Sequence, residues 1–304
     1  MNNPIYSNGK LLLTAEYAVL DGAKALALPT TFGQSLTLGN TASDTLDWVS
    51  LDENSTPWFS ARFLKHTLKP LHTTDIAISD RLTQILTETK RLNPKFLAKG
   101  TSVNAVETQL TFPKNWGLGS SSTLVSNIAK WADVNPYTLL FATFGGSGYD
   151  IACARHDRPI LYQKNHDTPI VRELDFSPPF SEHLFFVYLN QKKNSRDAIR
   201  AYRNLKFDKQ GLISQIDTIT EHLLICSDLP EFERLIDQHE QLLSKTLAIP
   251  TVKASLFSDY RNGTVKSLGA WGGDFILVTG AMQDMEYFKK KGYVTIVSYA
   301  EMIK

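Results

Sequence analysis

The pattern of apolar and polar positions in the first third of the chain predicts mainly strands, with one segment of helical period among them. The amphipathic segment Ile76–Arg91 predicts a helix that stops before Pro94. Two dipeptides, Asn8-Gly9 and Asp21-Gly22, each predict a hairpin turn between apolar strands. The further predicted strands are Gln34–Leu38, Leu46–Leu51, Trp58–Phe63 and Val103–Phe112.

The pattern changes beyond a loop rich in proline and acidic residues, Gln163–Pro179, which is the best candidate for a domain boundary. We therefore predict an α+β protein with domains at residues 1–174 and 175–304. The second half contains strand and helix patterns, and its strands are expected to be antiparallel or mixed. The predicted strands are His183–Leu189, Asp274–Thr279 and Tyr293–Ser298, and the predicted helices are Arg196–Tyr202, Leu212–Ser227, Pro230–Leu247 and Met282–Lys290.

Composition excludes several classes of function. The 32 Lys and Arg residues nearly balance the 31 Asp and Glu residues, so no global charge favours nucleic acid or an anionic membrane as a partner. The two cysteines have no spacing typical of a zinc site or a disulfide framework. No apolar run approaches the length of a membrane span, and the first residues lack the apolar core of a signal peptide. We expect a cytoplasmic, soluble protein whose partner is a small molecule, and the sequence leaves open whether it forms a homodimer.

A loop rich in glycine and serine precedes a predicted helix at Ser120–Asp133. Its residues are Pro113-Lys-Asn-Trp-Gly-Leu-Gly-Ser-Ser-Ser-Thr123. Glycines let a ligand approach the backbone, and the start of a helix carries free N–H groups and partial positive charge, which together suit a phosphate. The loop is not the GxxxxGK[ST] phosphate loop, because no lysine follows its second glycine. From this pattern alone, a serine-capped helix and a phosphate site both remain open.

Two charged residues are candidates for catalysis. Asp150 ends the flexible segment Gly145-Gly-Ser-Gly-Tyr-Asp at a predicted helix start, where the helix dipole would keep it ionised. It could orient a substrate hydroxyl and accept its proton, or it could only stabilise the helix. Lys10 follows the Asn8-Gly9 pair and could approach Asp150 or a transferred phosphoryl group, although alone it is an ordinary strand lysine.

A third glycine-rich stretch, Lys266-Ser-Leu-Gly-Ala-Trp-Gly-Gly-Asp274, leads into the predicted strand from Phe275. Its glycines indicate that the backbone comes close to a ligand or to another loop, and a tight hairpin is the alternative.

Taken in order, the three segments resemble the motifs of the GHMP kinases, a family named for galactokinase, homoserine kinase, mevalonate kinase and phosphomevalonate kinase. Ser7-Asn-Gly-Lys-Leu-Leu-Leu-Thr-Ala-Glu-Tyr17 is similar to the first motif, which commonly reads Pro-Gly-Lys followed by Gly-Glu-His or Gly-Glu-Tyr. The loop from Pro113 is similar to the second motif, the ATP phosphate loop, and Gly269–Gly273 to the third.

The resemblance implies a two-domain GHMP kinase fold, with a ribosomal-protein-like N-terminal domain and a ferredoxin-like C-terminal domain. It implies ATP and Mg²⁺ as cofactors, Asp150 and Lys10 as the catalytic pair, and Ser121 as a magnesium ligand. The implied ATP-binding residues are Lys114, Gly117, Leu118, Gly119, Ser120, Ser121 and Ser122. The implied substrate-binding residues are Glu16, Tyr17, Ser147, Gly148, Ser195, Arg196, Gly269 and Gly272. The cations of Lys192–Arg196 could bind a carboxylate or a phosphate, and a solvated helix start is the alternative.

The resemblance further implies transfer of the γ-phosphoryl group of ATP to mevalonate or a related acid of the mevalonate pathway of isoprenoid biosynthesis. Phosphomevalonate kinase is the second candidate. A homoserine or sugar kinase, an ATP-dependent diphosphomevalonate decarboxylase and a non-catalytic nucleotide-binding protein also remain open. Three departures matter: Asn8 replaces a proline, Asp274 stands where a small residue is common, and Tyr137–Phe144 lacks the acidic magnesium ligand of mevalonate kinases.

Overall fold

The computed structural model contains both strands and helices, and it describes residues 3–40, 43–98, 102–166, 168–191, 195–269 and 271–304. For residues 195 and 196 it describes the backbone. The strands are β1 (Ile5–Leu12), β2 (Ala25–Gly39), β3 (Thr45–Leu51), β4 (Pro57–Leu64), β5 (Pro70–Thr73), β6 (Ala105–Leu110), β7 (Ile160–Gln163), β8 (Ile170–Glu173), β9 (Leu184–Tyr188), β10 (Val265–Ser267), β11 (Phe275–Thr279) and β12 (Ile296–Ser298).

The α-helices are α1 (Ile76–Leu92), α2 (Ser120–Ala132), α3 (Pro136–Thr143), α4 (Tyr149–Ala154), α5 (Ser195–Arg203), α6 (Lys209–Ile225), α7 (Leu229–Leu247), α8 (Val252–Leu256), α9 (Glu286–Lys290) and α10 (Tyr299–Met302). Short 3₁₀ helices lie at Ala18–Asp21, Ser181–His183 and Met282–Met285. Among the described helices, none combines the length and apolarity that a bilayer span requires.

The chain divides into two units. The first unit contains Met1–Gly9, Phe32–Lys114 and Leu118–Arg155, and the second contains Lys10–Thr31, Asn115–Gly117 and His156–Lys304. These units are not the segments 1–174 and 175–304 of the sequence analysis, and that division stays a prediction.

The first unit is a sheet covered by helices. Its strand order is β5-β4-β3-β6, followed by the Gln34–Gly39 part of β2, and the β3–β6 pair is parallel. Helices α1, α2 and α3 contribute to the same core as the sheet, because their apolar residues recur at helical spacing and face inward. Buried members include Trp48, Phe63, Ile85 and Ile128.

The second unit contains an antiparallel sheet of order β10-β11-β9-β12. All five residues of β9 and of β11 are buried, as expected for central strands of a covered sheet. In the same unit, the Ala25–Ala27 part of β2 pairs with β7, and β7 pairs with β8. The α+β class predicted from the sequence is confirmed.

The predicted hairpin turn at Asn8-Gly9 is wrong, because both residues lie inside strand β1. A two-residue hairpin turn of this kind needs left-handed backbone at its centre, which a continuous strand does not provide. Asn8 is only 4% exposed, so it is an interior polar residue of the strand instead of a residue in a solvated turn. The hairpin turn predicted at Asp21-Gly22 is also wrong, because Asp21 ends the 3₁₀ helix Ala18–Asp21 and Gly22 caps that helix with a left-handed φ of 100°.

Candidate active site

The glycine–serine loop places its second glycine directly before a helix. Gly119 precedes helix α2 in the left-handed conformation, with φ of 91°. No side chain among the described residues caps the first turn of α2, and the Ser121 side chain is exposed there. An uncapped helix start of this length directs its N–H groups and partial positive charge outward, which is the arrangement that binds a phosphate.

Lys10 contacts the Asn115–Gly117 part of the glycine–serine loop, and both belong to the second unit. Its ammonium Nζ donates a hydrogen bond to the Gly117 carbonyl oxygen at 2.7 Å. The side chain is half-buried near the middle of β1, so strand backbone on both sides limits its movement. The predicted catalytic lysine and a predicted ATP-binding glycine are therefore in direct contact.

Asp274, the last residue of the third glycine-rich stretch, packs on the same glycine. A Cβ atom added to Gly117 would lie 2.3 Å from the Asp274 carboxyl carbon, and Gly117 has φ of 71°. Only glycine fits this position. The loop is fixed further because Tyr188 donates a hydrogen bond to the Asn115 carbonyl at 3.0 Å and Trp116 packs edge-on against Phe275. The predicted close approach of the third stretch to another loop is thus present.

Asp150 contacts Ser122 of the glycine–serine loop, and both residues belong to the first unit. Helix α4 begins at Tyr149 after Gly148, and Asp150 lies in its first turn. The Ser122 hydroxyl donates a short hydrogen bond to Asp150 Oδ2, and the Ile151 N–H donates to Oδ1 at 3.2 Å. The carboxylate is half-buried and held in one orientation by these donors.

Lys114, another predicted ATP-binding residue, lies over an aromatic ring in the first unit. Its Nζ is 4.4 Å from the centre of the Trp58 ring, which is cation–π distance. Trp58 belongs to β4, and no sequence motif indicated that it lies beside Lys114 of the glycine–serine loop.

Glu16, a predicted substrate-binding residue, is buried in a cluster of charged residues that no sequence motif predicted. Its Oε1 accepts a hydrogen bond from Lys266 Nζ at 2.6 Å, and neither side chain is exposed. Lys266 also lies 3.2 Å from Glu240 Oε1, whose other carboxylate oxygen accepts the Ser267 N–H at 3.1 Å. One buried cation thus faces two buried carboxylates.

Burial dominates the titration of this cluster. It raises the pKa of Glu16 from 4.5 to about 7, although the charge of Lys266 opposes the shift. The same burial raises the pKa of Glu240 and, with Lys266, lowers that of His239. Neutral His239 accepts the Ala15 N–H at Nε2, at 3.0 Å. Its Nε2 is 3.4 Å from Glu16 Oε2, but two acceptors face each other there, so this contact is not an ion pair.

Helix α7 carries the sequence signal for this cluster. Its buried positions Leu235, Ile236 and Leu243 follow helical spacing, and His239 and Glu240 occupy the same face. Two titratable residues on an otherwise apolar face need buried partners. The partners, Ala15, Glu16 and Lys266, are too distant in sequence for any local pattern to identify.

The remaining predicted residues are placed as follows. Ser147 and Gly148 are buried directly before α4, and Gly148 has φ of 94°. Gly269 and Gly272 have left-handed backbone, and the Gln191 side chain donates to the Gly272 carbonyl at 2.8 Å. Ser195 and Arg196 begin α5. The neighbouring cations Lys192 and Lys193, and Ala270 of the third motif, lie outside the described residues.

The residues present offer oxygen donors for Mg²⁺ but no acidic cluster. Within the described part of the chain, no three His, Cys, Asp or Glu side chains group as a metal site would require. Helix α3 contains no acid, as its sequence indicated. The exposed Ser121 hydroxyl is an oxygen donor at the loop, and Mg²⁺ commonly completes its coordination with water and phosphate oxygens. The donor set therefore fits a metal bound mainly through a nucleotide.

Comparison with solved structures identifies the fold. The Methanococcus jannaschii mevalonate kinase aligns with 97% of this chain and 96% of its own, at a TM-score of 0.70 and 16% identity. A Streptococcus pneumoniae phosphomevalonate kinase, in complex with phosphomevalonate and AMPPNP, aligns with 97% of this chain and 99% of its own, at a TM-score of 0.68 and 14% identity. A Lactococcus lactis galactokinase complexed with galactose aligns with 96% and 92%, at a TM-score of 0.69 and 11% identity.

The chain therefore has the fold of the GHMP kinases over at least 96% of its length in these three alignments. The fold implied by the sequence motifs is confirmed. No protein-family model matches the sequence, and no curated protein is significantly similar to it.

Proposed function

We propose that the chain is an ATP-dependent phosphotransferase that phosphorylates a small hydroxy acid of the mevalonate type. The main support is a pair of hydrogen bonds made by the glycine–serine loop. Gly117 accepts a hydrogen bond from Lys10, and Ser122, five residues further on, donates one to Asp150. The uncapped start of α2 lies between these two loop positions.

The loop would hold the triphosphate of ATP. The N–H groups at the start of α2 and the hydroxyls of Ser120 and Ser121 suit its oxygens, and Lys10 adds a positive charge beside Gly117. Ser121, phosphate oxygens and water would hold Mg²⁺, and the bound ion would neutralise charge on the phosphates. Such a site catalyses mainly by positioning and by electrostatic stabilisation.

Asp150 would orient the hydroxyl of the acceptor and take its proton. The bond from the γ-phosphorus to the bridging oxygen of ATP breaks, a bond to the acceptor oxygen forms, and the acceptor proton passes to the Asp150 carboxylate. The hydrogen bond from Ser122 keeps this carboxylate from turning away, because it fixes Oδ2. Lys10 would stabilise the negative charge that develops on the transferred group.

The acceptor is proposed to be mevalonate, and phosphomevalonate is the second candidate. The first is supported by the likeness in fold to mevalonate kinase. The second is supported by the Glu16-Tyr17 pair of the first motif and by the cations of Lys192–Arg196, which suit a phosphate as well as a carboxylate.

An acceptor panel tests this proposal. The protein is incubated with Mg-ATP and, separately, with mevalonate, phosphomevalonate, diphosphomevalonate, homoserine or galactose, and ADP release is measured with product mass. We expect one of the first two compounds to gain one phosphoryl group for each ADP formed. Release of carbon dioxide with diphosphomevalonate would indicate a decarboxylase. Calorimetric binding of ATP without turnover of any acceptor would contradict a catalytic role.

A further inference from the structure

The first motif contains a strained turn. The Ala18 N–H donates to the Glu16 carbonyl at 2.7 Å, which closes a three-residue γ-turn around Tyr17. Tyr17 has φ of 62° and ψ of −47°, and Ala15 also has a positive φ of 68°. γ-Turns with positive φ are rare and strained, and residues with side chains pay an energetic penalty for this conformation. Such a turn persists only where its surroundings hold it.

A second tyrosine holds the strained residue. The rings of Tyr17 and Tyr202 stack with their centres 5.4 Å apart and their planes 27° apart. Tyr17 is 9% exposed and Tyr202 is 2% exposed, so the stacked rings are almost fully removed from water. A buried stacked pair of this kind favours one orientation of the Tyr17 side chain and, through it, one conformation of the turn.

The hydroxyl of Tyr202 contacts Asp21, at the C-terminal end of the segment that begins with Ala15 and Tyr17. It donates a hydrogen bond to Asp21 Oδ2 at 2.7 Å, and Lys209 binds Asp21 Oδ1 at 3.0 Å. Burial and Asp21 raise the pKa of Tyr202, so the hydroxyl keeps the proton that it donates. One side chain therefore contacts both the γ-turn and the 3₁₀ helix Ala18–Asp21 that follows it.

Tyr202 is also a buried contact of helix α5. Of the described side chains of this helix, Asp197–Arg203, only that of Tyr202 is buried. Helix α5 begins at Ser195, beside the residues for which acceptor binding is predicted. Tyr202 thus joins two segments, the first motif and α5, that the proposed function assigns to the acceptor and not to ATP.

We propose that Tyr202 is a positioning residue for the acceptor, which holds Tyr17 in its strained turn by stacking and by its bond to Asp21. This inference rests on the proposed function, because it assigns the first motif to acceptor recognition. Loss of the Tyr202 side chain then lowers affinity for the acceptor and leaves affinity for ATP unchanged, since the phosphate loop does not depend on this stack.

Three variants separate positioning from general stability. Tyr202→Ala removes the ring and the hydroxyl, and Tyr202→Phe keeps the ring on Tyr17. Tyr260→Ala is the matched control, because Tyr260 is also 2% exposed and donates through its hydroxyl, to the Thr279 carbonyl at 2.7 Å, in a different cluster of the same unit. Each variant is compared with the parent protein at a temperature where unfolding curves show it to be folded.

The hydrogen–deuterium exchange rate of residues 13–21 measures how firmly the γ-turn is held, and it needs no substrate. We expect faster exchange there in Tyr202→Ala, little change in Tyr202→Phe and no change in Tyr260→Ala. With the acceptor found in the panel, we expect Tyr202→Ala to raise the acceptor KM about two- to tenfold, in line with the loss of a stacked aromatic pair, and to leave the ATP KM unchanged.

Exchange at residues 13–21 that matches the Tyr260→Ala control, or equal rises in the KM values of ATP and acceptor, would overturn the inference. If no compound in the panel is phosphorylated, the proposed function fails and the acceptor role fails with it. The exchange measurement still decides, separately, whether Tyr202 holds the turn.

Discussion

Lys266 Nζ lies 2.6 Å from Glu16 Oε1, and both side chains are completely buried. The pair joins the first motif to β10, three residues before the third motif begins at Gly269. Because Glu240 also faces Lys266, the cluster contains one cation for two carboxylates. The contribution of this cluster to the free energy of unfolding therefore depends on pH.

Replacing Lys266 with methionine leaves Glu16 and Glu240 facing each other without a cation. We expect a loss of about 3–5 kcal/mol in the free energy of unfolding near pH 8, the usual cost of breaking a buried ion pair. The loss shrinks toward pH 5, because the carboxyls then take up protons and the uncompensated charge disappears. Urea unfolding at the two pH values measures it. Equal losses at both would show that the carboxylates do not carry the effect.

Glu16→Gln tests the other half of the pair. The pKa of Glu16 is raised from 4.5 to about 7, so between these values the unfolded chain releases a proton that the folded chain keeps. The free energy of unfolding of the parent protein therefore falls, on account of this group, by up to about 3 kcal/mol as pH rises from 4.5 to 7. In Glu16→Gln this fall disappears, while Lys266 keeps Glu240 as its partner. A series of urea unfolding curves between pH 5 and pH 8 makes the comparison, and parallel pH profiles for the two proteins would count against the raised pKa.

Gly117→Ala tests the contact between Gly117 of the glycine–serine loop and Asp274. The added methyl would lie 2.3 Å from the Asp274 carboxyl carbon, and the residue would keep a left-handed φ of 71°. We expect a cost of about 1–2 kcal/mol for the backbone and a further cost of about 1–3 kcal/mol for the clash, with weaker ATP binding in calorimetry.

The chain offers a matched control for this substitution. Gly145 has φ of 69°, and no described atom lies within 4 Å of an added Cβ, so Gly145→Ala carries the backbone cost alone. Adding Asp274→Ala to Gly117→Ala should bring its stability close to that of Gly145→Ala. If the second substitution recovers nothing, the Asp274 contact is not what requires glycine at position 117.

Local pattern predicted much of the fold. The helix predicted at Ser120–Asp133 is α2, and the helix start predicted at Asp150 is that of α4, which begins at Tyr149. The Asn8-Gly9 turn failed because the pairing of β1 with a neighbouring strand outweighed a two-residue turn signal. Turn propensity is a local preference, whereas strand pairing depends on the whole sheet.

The candidate site was predictable where its residues belong to motifs, as for Lys10, Gly117, Ser122 and Asp150. It was not predictable where contacts join distant segments. Lys266 and Glu16 are 250 positions apart, and the lysine stood in a segment singled out only for its glycines. Tyr202 gave no signal beyond one aromatic residue in a polar helix, because its importance comes from Tyr17 and Asp21.

The central claim is that the glycine–serine loop binds ATP and that Asp150 accepts the proton of the acceptor hydroxyl. Asp150→Asn keeps the size of the side chain and an oxygen that accepts from Ser122, but removes the charge and the basicity. With Mg-ATP and the acceptor from the panel, we expect kcat to fall about a hundredfold or more, while ATP binding measured by calorimetry is retained. Turnover in Asp150→Asn within about twofold of the parent protein, below the range expected for loss of a general base, would contradict the claim.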